Sequence, residues 1–297
     1  MESIRQEHTV NVANTPRRRR VWLIPASAVI AVVGIPSLLD DHPVVGRDTP
    51  ALIQEVLANP LVNAIPALLP VAKLLLVVMA ALPVVGVRHA PRLLVGYYAA
   101  VLVVVGVFQN AADLGSRGFA FLTGNAIAQL ALAVCCLISL PTVRAECTPL
   151  RTGRVWVIPL AVLAAAFPYA VDGGRVVPSV EGMLTNAAGV TYCMVTAVVG
   201  AAILLRPDAY PGWLRVAVAA LGTVFGLLNA VTWFLLAPQS WWMGVLHLPL
   251  LICSTFLLAT SWTEAGGRAH LVQDTPHHVT RSARPHRPTE EGGHVAR

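Results

Sequence analysis

Long apolar runs separated by short polar segments dominate this chain. A helix that crosses the hydrocarbon core of a bilayer needs about 20 mostly apolar residues, and eight runs meet that requirement. They lie at about 21–39, 64–86, 93–110, 119–141, 155–171, 187–205, 213–237 and 241–262. The pattern predicts an all-α, polytopic membrane helix bundle with eight transmembrane helices.

The distribution of basic residues predicts how these helices are oriented. Of the 21 Lys and Arg residues, 17 fall in segments on the same side as the amino terminus and three fall on the other side, while Lys73 lies within a span. Loops rich in Lys and Arg remain in the cytoplasm during membrane insertion. We therefore expect a multi-pass protein of the inner (plasma) membrane with both termini in the cytoplasm.

A short segment that opens the first span recurs in the middle of the chain. Residues 20–25 read RVWLIP and residues 154–159 read RVWVIP. Four spans per copy give two parallel repeats, related by an axis along the membrane normal, with a site expected between them. The expected organisation is a four-helix repeat at 21–141, a cytoplasmic linker at 142–154, a second four-helix repeat at 155–262, and disordered cytoplasmic tails at 1–20 and 263–297.

Composition narrows the classes of partner. Charged residues make up 12% of the chain, against about 25% in soluble domains, and the net charge of +6 is not organised into a basic, aromatic-rich nucleic-acid surface. The basic tails are expected to contact anionic membrane lipids. Neither a cofactor nor a metal ion is predicted, because the sequence has no nucleotide-binding loop, no pair of histidines at haem-binding spacing and no zinc-binding motif. The oligomeric state is left open.

The predicted outer loops carry acids in matching positions of the two halves. Asp40 and Glu55 in the first half correspond to Asp172 and Glu181 in the second, and Arg47 and Arg175 lie between the members of each pair. One interpretation is a solvated loop with local Arg–acid pairs. In the other, the four acids are catalytic, because carboxyl groups in unlike environments can serve as an acid and a base.

Polar residues also occur inside the predicted spans. A charge within the bilayer is costly and marks a candidate functional residue, although the Lys73 side chain could instead extend outward toward Glu55 or Asp40. Hydrogen bonding between helices is the alternative role for the uncharged residues. Together with the two outer arginines, these residues predict a substrate-binding pocket that opens outward: Lys73, Asn125, Gln129, Asn229, His247, Arg47 and Arg175.

Three functions are compatible with this pattern. The favoured hypothesis is an intramembrane acid/base enzyme, such as a cyclase or isomerase, acting on an apolar or amphiphilic small molecule that is isoprenoid- or lipid-like. The alternative is a small-molecule transporter or efflux protein, which predicts a polar path through the inner half of the bundle, where the sequence is almost purely aliphatic. A further alternative is a non-catalytic membrane subunit. Burial of the outer acids would favour the enzyme.

Overall fold

A computed structural model describes residues 31–32, 34–45, 48–172 and 175–273, without the side chains of 50, 171–172, 175 and 265–273. The described chain is mostly helical. One turn of π-helix extends the third helix to Gln109 and another extends the seventh to Leu236. The helices are α1 (Thr49–Ala58), α2 (Leu68–Val85), α3 (Ala90–Val104), α4 (Thr123–Ser139), α5 (Val157–Ala166), α6 (Tyr192–Leu205), α7 (Gly212–Val231) and α8 (Trp241–Gln273).

Among the described residues, five helical segments are long and apolar enough to cross a bilayer, so the chain is a multi-pass membrane protein. A sixth span exists if Glu181–Val190 and Tyr192–Leu205, which meet at a bend of 83°, are counted together. The five segments are Leu68–Val85, Ala90–Gln109, Thr123–Thr142, Gly212–Leu236 and Pro238–Glu264.

The predicted number of eight spans is not confirmed. The first predicted span lies almost entirely outside the described residues. The fifth contains only the 10 residues of α5, which rise about 15 Å, half of the hydrocarbon thickness of about 30 Å. The sixth is broken rather than continuous.

The fold is not purely helical, because the loops at one end of the bundle form two small antiparallel sheets. Strands β1 to β4 form a four-stranded sheet in the order β2-β1-β4-β3, and β5 pairs with β6. Parts of predicted spans one, four and five are therefore strands. The strands are β1 (Ser37–Leu39), β2 (His42–Val44), β3 (Ala111–Asp113), β4 (Phe119–Phe121), β5 (Tyr169–Asp172) and β6 (Arg175–Pro178).

Local chemistry explains the first hairpin. Leu39 pairs with His42, so Asp40 and Asp41 form a two-residue turn, and their φ angles are 48° and 63°. Two consecutive positive φ angles give the type I′ turn, whose twist matches that of the paired strands. Asp tolerates this conformation better than most residues because its short polar side chain can hydrogen-bond locally.

Helix α1 covers this sheet and forms a small core of its own. Leu52 and Val56 of α1 are buried against Ala112, Ala120 and Leu122. We call the end of the bundle that carries both sheets and α1 the hairpin end, and the opposite end, with residues 86–89, 140–156 and 206–211, the arginine end. The hairpin end is therefore a folded cap rather than a set of loose loops.

The charge asymmetry expected from the sequence also separates the two ends of the bundle. Seven arginines with described side chains lie at the arginine end or in the first turn of a helix that begins there, whereas Arg117 is the only arginine with a described side chain at the hairpin end. Which end faces the cytoplasm remains a prediction. The seven are Arg88, Arg92, Arg144, Arg151, Arg154, Arg206 and Arg215.

Helix α6 is the centre of the bundle. All of its residues are buried, and it packs against α2, α3, α5, α7 and α8. Gly200, Ala197, Ala201 and Ala202 give it a narrow surface that neighbouring helices can approach closely.

Helix α8 continues beyond the predicted end of the last span. Residues 263–273, which the sequence analysis assigns to a disordered tail, are helical. Glu264 lies in this extension and forms ion pairs with Arg215 (2.6 Å) and Arg154 (3.6 Å). The extension is therefore attached to the arginine end by charge as well as by the continuous helix.

Candidate functional site

The most unusual polar centre in the described chain surrounds Lys73. This residue lies in the second turn of α2 and is only 6% exposed. Its Nζ donates hydrogen bonds to the carbonyl oxygen of Ala166 (3.1 Å), the carbonyl oxygen of Met183 and Oδ1 of Asn186 (2.6 Å). An ammonium group has three donors, so all three are used. We call these four residues the Lys73 cage.

Asn186 holds the acceptors of the cage in position. Its Oδ1 also accepts a hydrogen bond from the backbone N–H of Ala188 (3.1 Å), while its Nδ2 donates to the carbonyl oxygens of Phe167 (2.7 Å) and Tyr169 (3.1 Å). The amide therefore joins the end of α5, the start of β5 and the irregular segment before α6. This network fixes both its orientation and its assignment of oxygen and nitrogen.

Two glycines allow the irregular segment before α6, Glu181–Val190, to lie directly on α2. A Cβ atom added at Gly189 would lie 2.7 Å from the Cα of Lys73, and one added at Gly182 would overlap the carbonyl group of Tyr169. Real Cβ atoms do not approach backbone atoms so closely, so glycine is required at both positions. The broken span is thus docked on α2 by backbone contact and by the Lys73 cage together.

An aromatic and polar chain leads from the cage into the second half of the bundle. The ring of Phe167 meets His247 edge-on at 5.3 Å, and Trp233 stacks on the other side of His247 at 6.3 Å between ring centroids. The Nε1 of Trp233 donates to Oδ1 of Asn229 (3.1 Å), and Nδ1 of His247 contacts the carbonyl oxygen of Met243 (2.7 Å). Three residues predicted to bind substrate, namely Lys73, His247 and Asn229, therefore belong to one connected set.

Gln129 belongs to a separate contact. Its Oε1 accepts a hydrogen bond from Nδ2 of Asn110 (2.6 Å), and the neighbouring Gln109 accepts one from the backbone N–H of Tyr192 (2.9 Å). Asn125 is half-buried at the start of α4 and has no hydrogen-bond partner among the described residues. The polar residues predicted to share one pocket therefore fall into separate contacts, and Asn110, Gln109 and Asn186 are polar contributors that were not among the predicted site residues.

The predicted catalytic acids are exposed or ion-paired wherever their side chains are described. Asp40 and Glu181 are exposed. Glu55 is half-exposed and forms an ion pair with Arg117. The side chains of Asp172 and Arg175, and the whole of Arg47, lie outside the described residues. For Asp40, Glu55 and Glu181, the arrangement agrees with a solvated loop better than with a buried acid–base pair.

Two cavities lie at the arginine end, opposite the side on which the sequence analysis expects a pocket. One, of about 700 Å³, is lined by residues 149–154 together with Asp208 and Phe256. The other, of about 220 Å³, lies at the turn between α6 and α7. Arg151 pairs with Asp208 (2.7 Å) beside both cavities.

Comparison with known proteins returns no match: no protein-family model, curated protein or solved structure resembles this chain. The spans identify a multi-pass membrane protein. Beyond that, the Lys73 cage and the arginine end are the described features whose chemistry can indicate a function.

Proposed function

We propose that this protein is a transporter that exchanges amphiphilic amines for protons, with the Lys73 cage as the shared binding site. The observation that carries the proposal is that the broken span, through Met183 and Asn186, and the end of α5, through Ala166, together present three oxygen acceptors to a single buried ammonium group. In secondary transporters, broken helices expose backbone carbonyl groups that bind cations near the substrate. Irregular backbone at this depth is otherwise expensive in a membrane.

The exchange follows because the three oxygen acceptors of the cage can hold only one ammonium group at a time. Lys73 releases a proton to water and becomes a neutral amine, and its side chain then leaves the three acceptors. The ammonium group of the substrate donates its own N–H groups to the oxygens of Ala166, Met183 and Asn186. Reprotonation of Lys73 displaces the substrate, so one proton exchanges for one cation and the charge at the site is unchanged. A buried charge is tolerated only when it is hydrogen-bonded, which couples the two steps.

The charge of the hairpin end supports a cationic substrate. Six acids with described side chains lie there against one described arginine, Arg117. Such a surface raises the local concentration of cations and protons. The acids are Asp40, Asp41, Asp48, Glu55, Asp113 and Glu181.

Aromatic rings beside the cage support a substrate with an apolar part. Phe167 and Tyr169 meet edge-on at 5.2 Å, and Asn186 binds the carbonyl groups of both. Aromatic faces attract organic cations as well as apolar groups. In this proposal the rings of Phe167 and Trp233, beside His247 and Asn229, bind the apolar portion of the substrate. Gln129 and Asn125 belong to the path, and Arg47 and Arg175 modulate entry.

Acid/base catalysis receives less support from the same geometry. A carboxyl group needs burial to keep its proton near neutral pH, and Asp40 and Glu181 are exposed while Glu55 is paired with Arg117. An enzyme of this kind would have to depend on Asp172 alone, whose side chain is not described. We therefore prefer the transporter to the enzyme.

Similar element order in the two halves supports the proposed parallel repeats. In each half a β-hairpin precedes a pair of helices, β1–β2 before α2 and α3 and β5–β6 before α6 and α7, although α1 lies between the hairpin and the pair in the first half. The second helix of each pair ends in a π-turn. Those helices are α3 and α7. In this proposal the two halves move relative to each other about an axis along the membrane normal.

Proteoliposomes test the transport proposal. The probe is monodansylcadaverine, a fluorescent amphiphilic primary amine, and uptake is driven by a pH gradient and measured above that of protein-free liposomes. Wild-type protein should accumulate the probe, and Lys73→Met should abolish accumulation. Lys73→Arg should also abolish it, because a guanidinium group fills the cage but does not release its proton at physiological pH.

Controls separate this mechanism from a purely structural role of Lys73. Arg117→Gln, which removes an exposed charge at the hairpin end, should transport normally. A derivative of the probe that is trimethylated at the terminal amine has no ammonium N–H donor for the cage and should not be carried. Wild-type rates in Lys73→Arg, with the variant shown to be folded by gel filtration, would contradict the proposal.

We infer from the arginine distribution that the hairpin end faces outward. Ser116 is exposed at the hairpin end, whereas Cys147 lies at the arginine end. In intact cells, an impermeant maleimide should label Ser116→Cys and leave native Cys147 unlabelled until the membrane is permeabilised. Labelling of Cys147 alone in intact cells would reverse the orientation.

A further inference from the structure

The turn between α6 and α7 encloses the smaller cavity of about 220 Å³. Gly212 is the first residue of α7 and lines this cavity. The backbone N–H groups of Leu214 and Arg215 bond to the carbonyl oxygen of Pro211, which leaves those of Gly212 and Trp213 available in the first turn. The amino end of a helix carries a partial positive charge and favours anions.

Two buried residues that line the cavity each carry a donor without a described partner. Arg215 is 4% exposed and uses Nη1 to bind Glu264 (2.6 Å), but its Nε has no partner among the described residues. The hydroxyl group of Tyr210 is also unpaired within the described chain, and Tyr210 is 4% exposed. Burial raises the pKa of Tyr210, so the hydroxyl group keeps its proton and remains a donor. Unsatisfied buried donors are costly, which is explained if a ligand accepts from them.

The surroundings of the cavity have an excess of positive charge. Asp208 is paired with Arg151, and Glu264 is shared by Arg154 and Arg215. Arg144 lines the cavity, is exposed, and has no side-chain partner among the residues described. These four arginines outnumber the two carboxylates that pair with them by two, so a phosphate anion would offset part of the excess positive charge.

The position of Trp213 indicates where the anion comes from. Trp213 follows Gly212 and is 45% exposed, as expected for an aromatic residue at the interface between membrane and water. The cavity therefore opens at the depth of lipid head groups. Basic pockets between transmembrane helices on the cytoplasmic side are known to suit phosphate head groups.

We propose that the cavity formed by Arg144, Tyr210, Gly212 and Arg215 binds the phosphate group of an anionic phospholipid. The planar guanidinium group matches the geometry of phosphate oxygens, and the free N–H groups of α7 add further donors. This site lies at the opposite end of the bundle from the Lys73 cage and does not depend on transport.

Native mass spectrometry of the full-length protein in detergent tests the site, with phosphatidylglycerol, phosphatidylcholine and inorganic phosphate as separate probes. We expect phosphatidylglycerol to bind about tenfold more tightly than phosphatidylcholine, and Arg144→Gln to weaken phosphatidylglycerol binding about tenfold, the value of one charge-assisted hydrogen bond. Arg88→Gln is the matched control, because Arg88 is an exposed arginine at the same end outside the cavity. It should change binding less than twofold.

Tyr210→Phe keeps the proposal testable if an arginine variant misfolds. The substitution removes a hydroxyl group without a described partner, so folding should be unchanged and phosphatidylglycerol binding should weaken severalfold. If Arg144→Gln and Arg88→Gln weaken phosphatidylglycerol binding equally, the site is overturned, because binding would then depend on the overall positive charge of this end and not on the cavity. Tight binding of inorganic phosphate without preference for phosphatidylglycerol would overturn the lipid assignment, and so would identical binding of both lipids.

Discussion

Helices α2 and α6 each precede a helix that ends in a π-turn, but they have opposite environments. Only 22% of α2 is buried inside the bundle as described, whereas every residue of α6 is buried. Both are strongly apolar, so hydropathy does not separate them. In α2, Leu74 is 65% exposed and Val71 is 60% exposed. Helix α6, in contrast, includes Ala197, Gly200, Ala201 and Ala202.

The comparison shows which property of a membrane helix decides its position. Lipid is as apolar as leucine, so an apolar side chain gains little by leaving lipid for the protein interior. Small residues, in contrast, let backbones approach and increase dispersion contacts. The one polar exception in α2 is Lys73, and it is also the place where the broken span before α6 docks. The two helices therefore meet where α2 is least typical of a lipid-facing helix.

The largest expected effect is at Gly189, where the broken span touches α2. Gly189→Leu places a side chain where the backbone of Lys73 lies, which should destabilise the protein by more than about 3 kcal/mol, at the upper limit for overpacking. Gly96→Ala in α3 is the control, because a Cβ added there meets no atom within 4 Å. The free energy of unfolding of both variants is measured by titration with sodium dodecyl sulfate. Near-wild-type stability of Gly189→Leu would show that the two segments do not pack as described.

A pair of truncations tests the difference in burial directly. Leu204 of α6 is 0% exposed and Leu74 of α2 is 65% exposed. Leu204→Ala should cost about 3 kcal/mol because it leaves a cavity, and Leu74→Ala should change the free energy of unfolding by less than about 0.5 kcal/mol. Titration with sodium dodecyl sulfate compares the free energies of unfolding of the two variants. Equal costs would mean that α2 is covered by protein at this position.

Lys73→Met tests the polar contact between α2 and the broken span. The substitution leaves the buried acceptors of Ala166, Met183 and Asn186 without their shared donor, which should cost about 2 kcal/mol. Leu75→Met, a lipid-exposed change in the same helix, serves as the control. If Lys73→Met leaves the free energy of unfolding unchanged, the cage contributes nothing to the stability of the fold. The effect of the same variant on transport is a separate measurement.

The smallest effect is expected at the contact between α3 and α6. The hydroxyl groups of Tyr98 and Thr196 are hydrogen-bonded at 2.8 Å and both residues are buried. Tyr98→Phe should lower the free energy of unfolding by about 1 kcal/mol. A double-mutant cycle with Thr196→Val isolates the pair, and a coupling energy of zero would remove this contact as a reason for the central position of α6.

The length of the apolar runs predicted the long spans, because a helix must contain about 20 mostly apolar residues to cross the hydrocarbon core. It did not predict the hairpins, since Leu38, Leu39 and Phe121 are apolar in a strand as in a helix. The available signal was Asp40-Asp41, a turn-forming pair between two apolar runs. The apolar run of the fifth predicted span likewise concealed the end of α5 at Ala166.

The candidate site was predicted in part. Lys73 was singled out because a lone charge in an apolar run is recognisable, but its partner Asn186 lies 113 residues away and two of its acceptors are backbone carbonyl groups that no side chain reveals. Glu55 was a candidate catalytic acid, and it pairs with Arg117, a contact between α1 and the turn before β4 that only the folded cap brings together.

The length of α8 has a mechanical consequence. Its 33 residues rise about 50 Å, whereas the hydrocarbon core is about 30 Å thick. If the helix is upright, about 20 Å remains as a rigid arm outside the hydrocarbon, and the ion pairs of Glu264 attach the base of that arm to the turn between α6 and α7. A small tilt of α8 against the bundle is therefore magnified at its tip. A spin label near residue 273 would report movements of the core that are too small to detect within it.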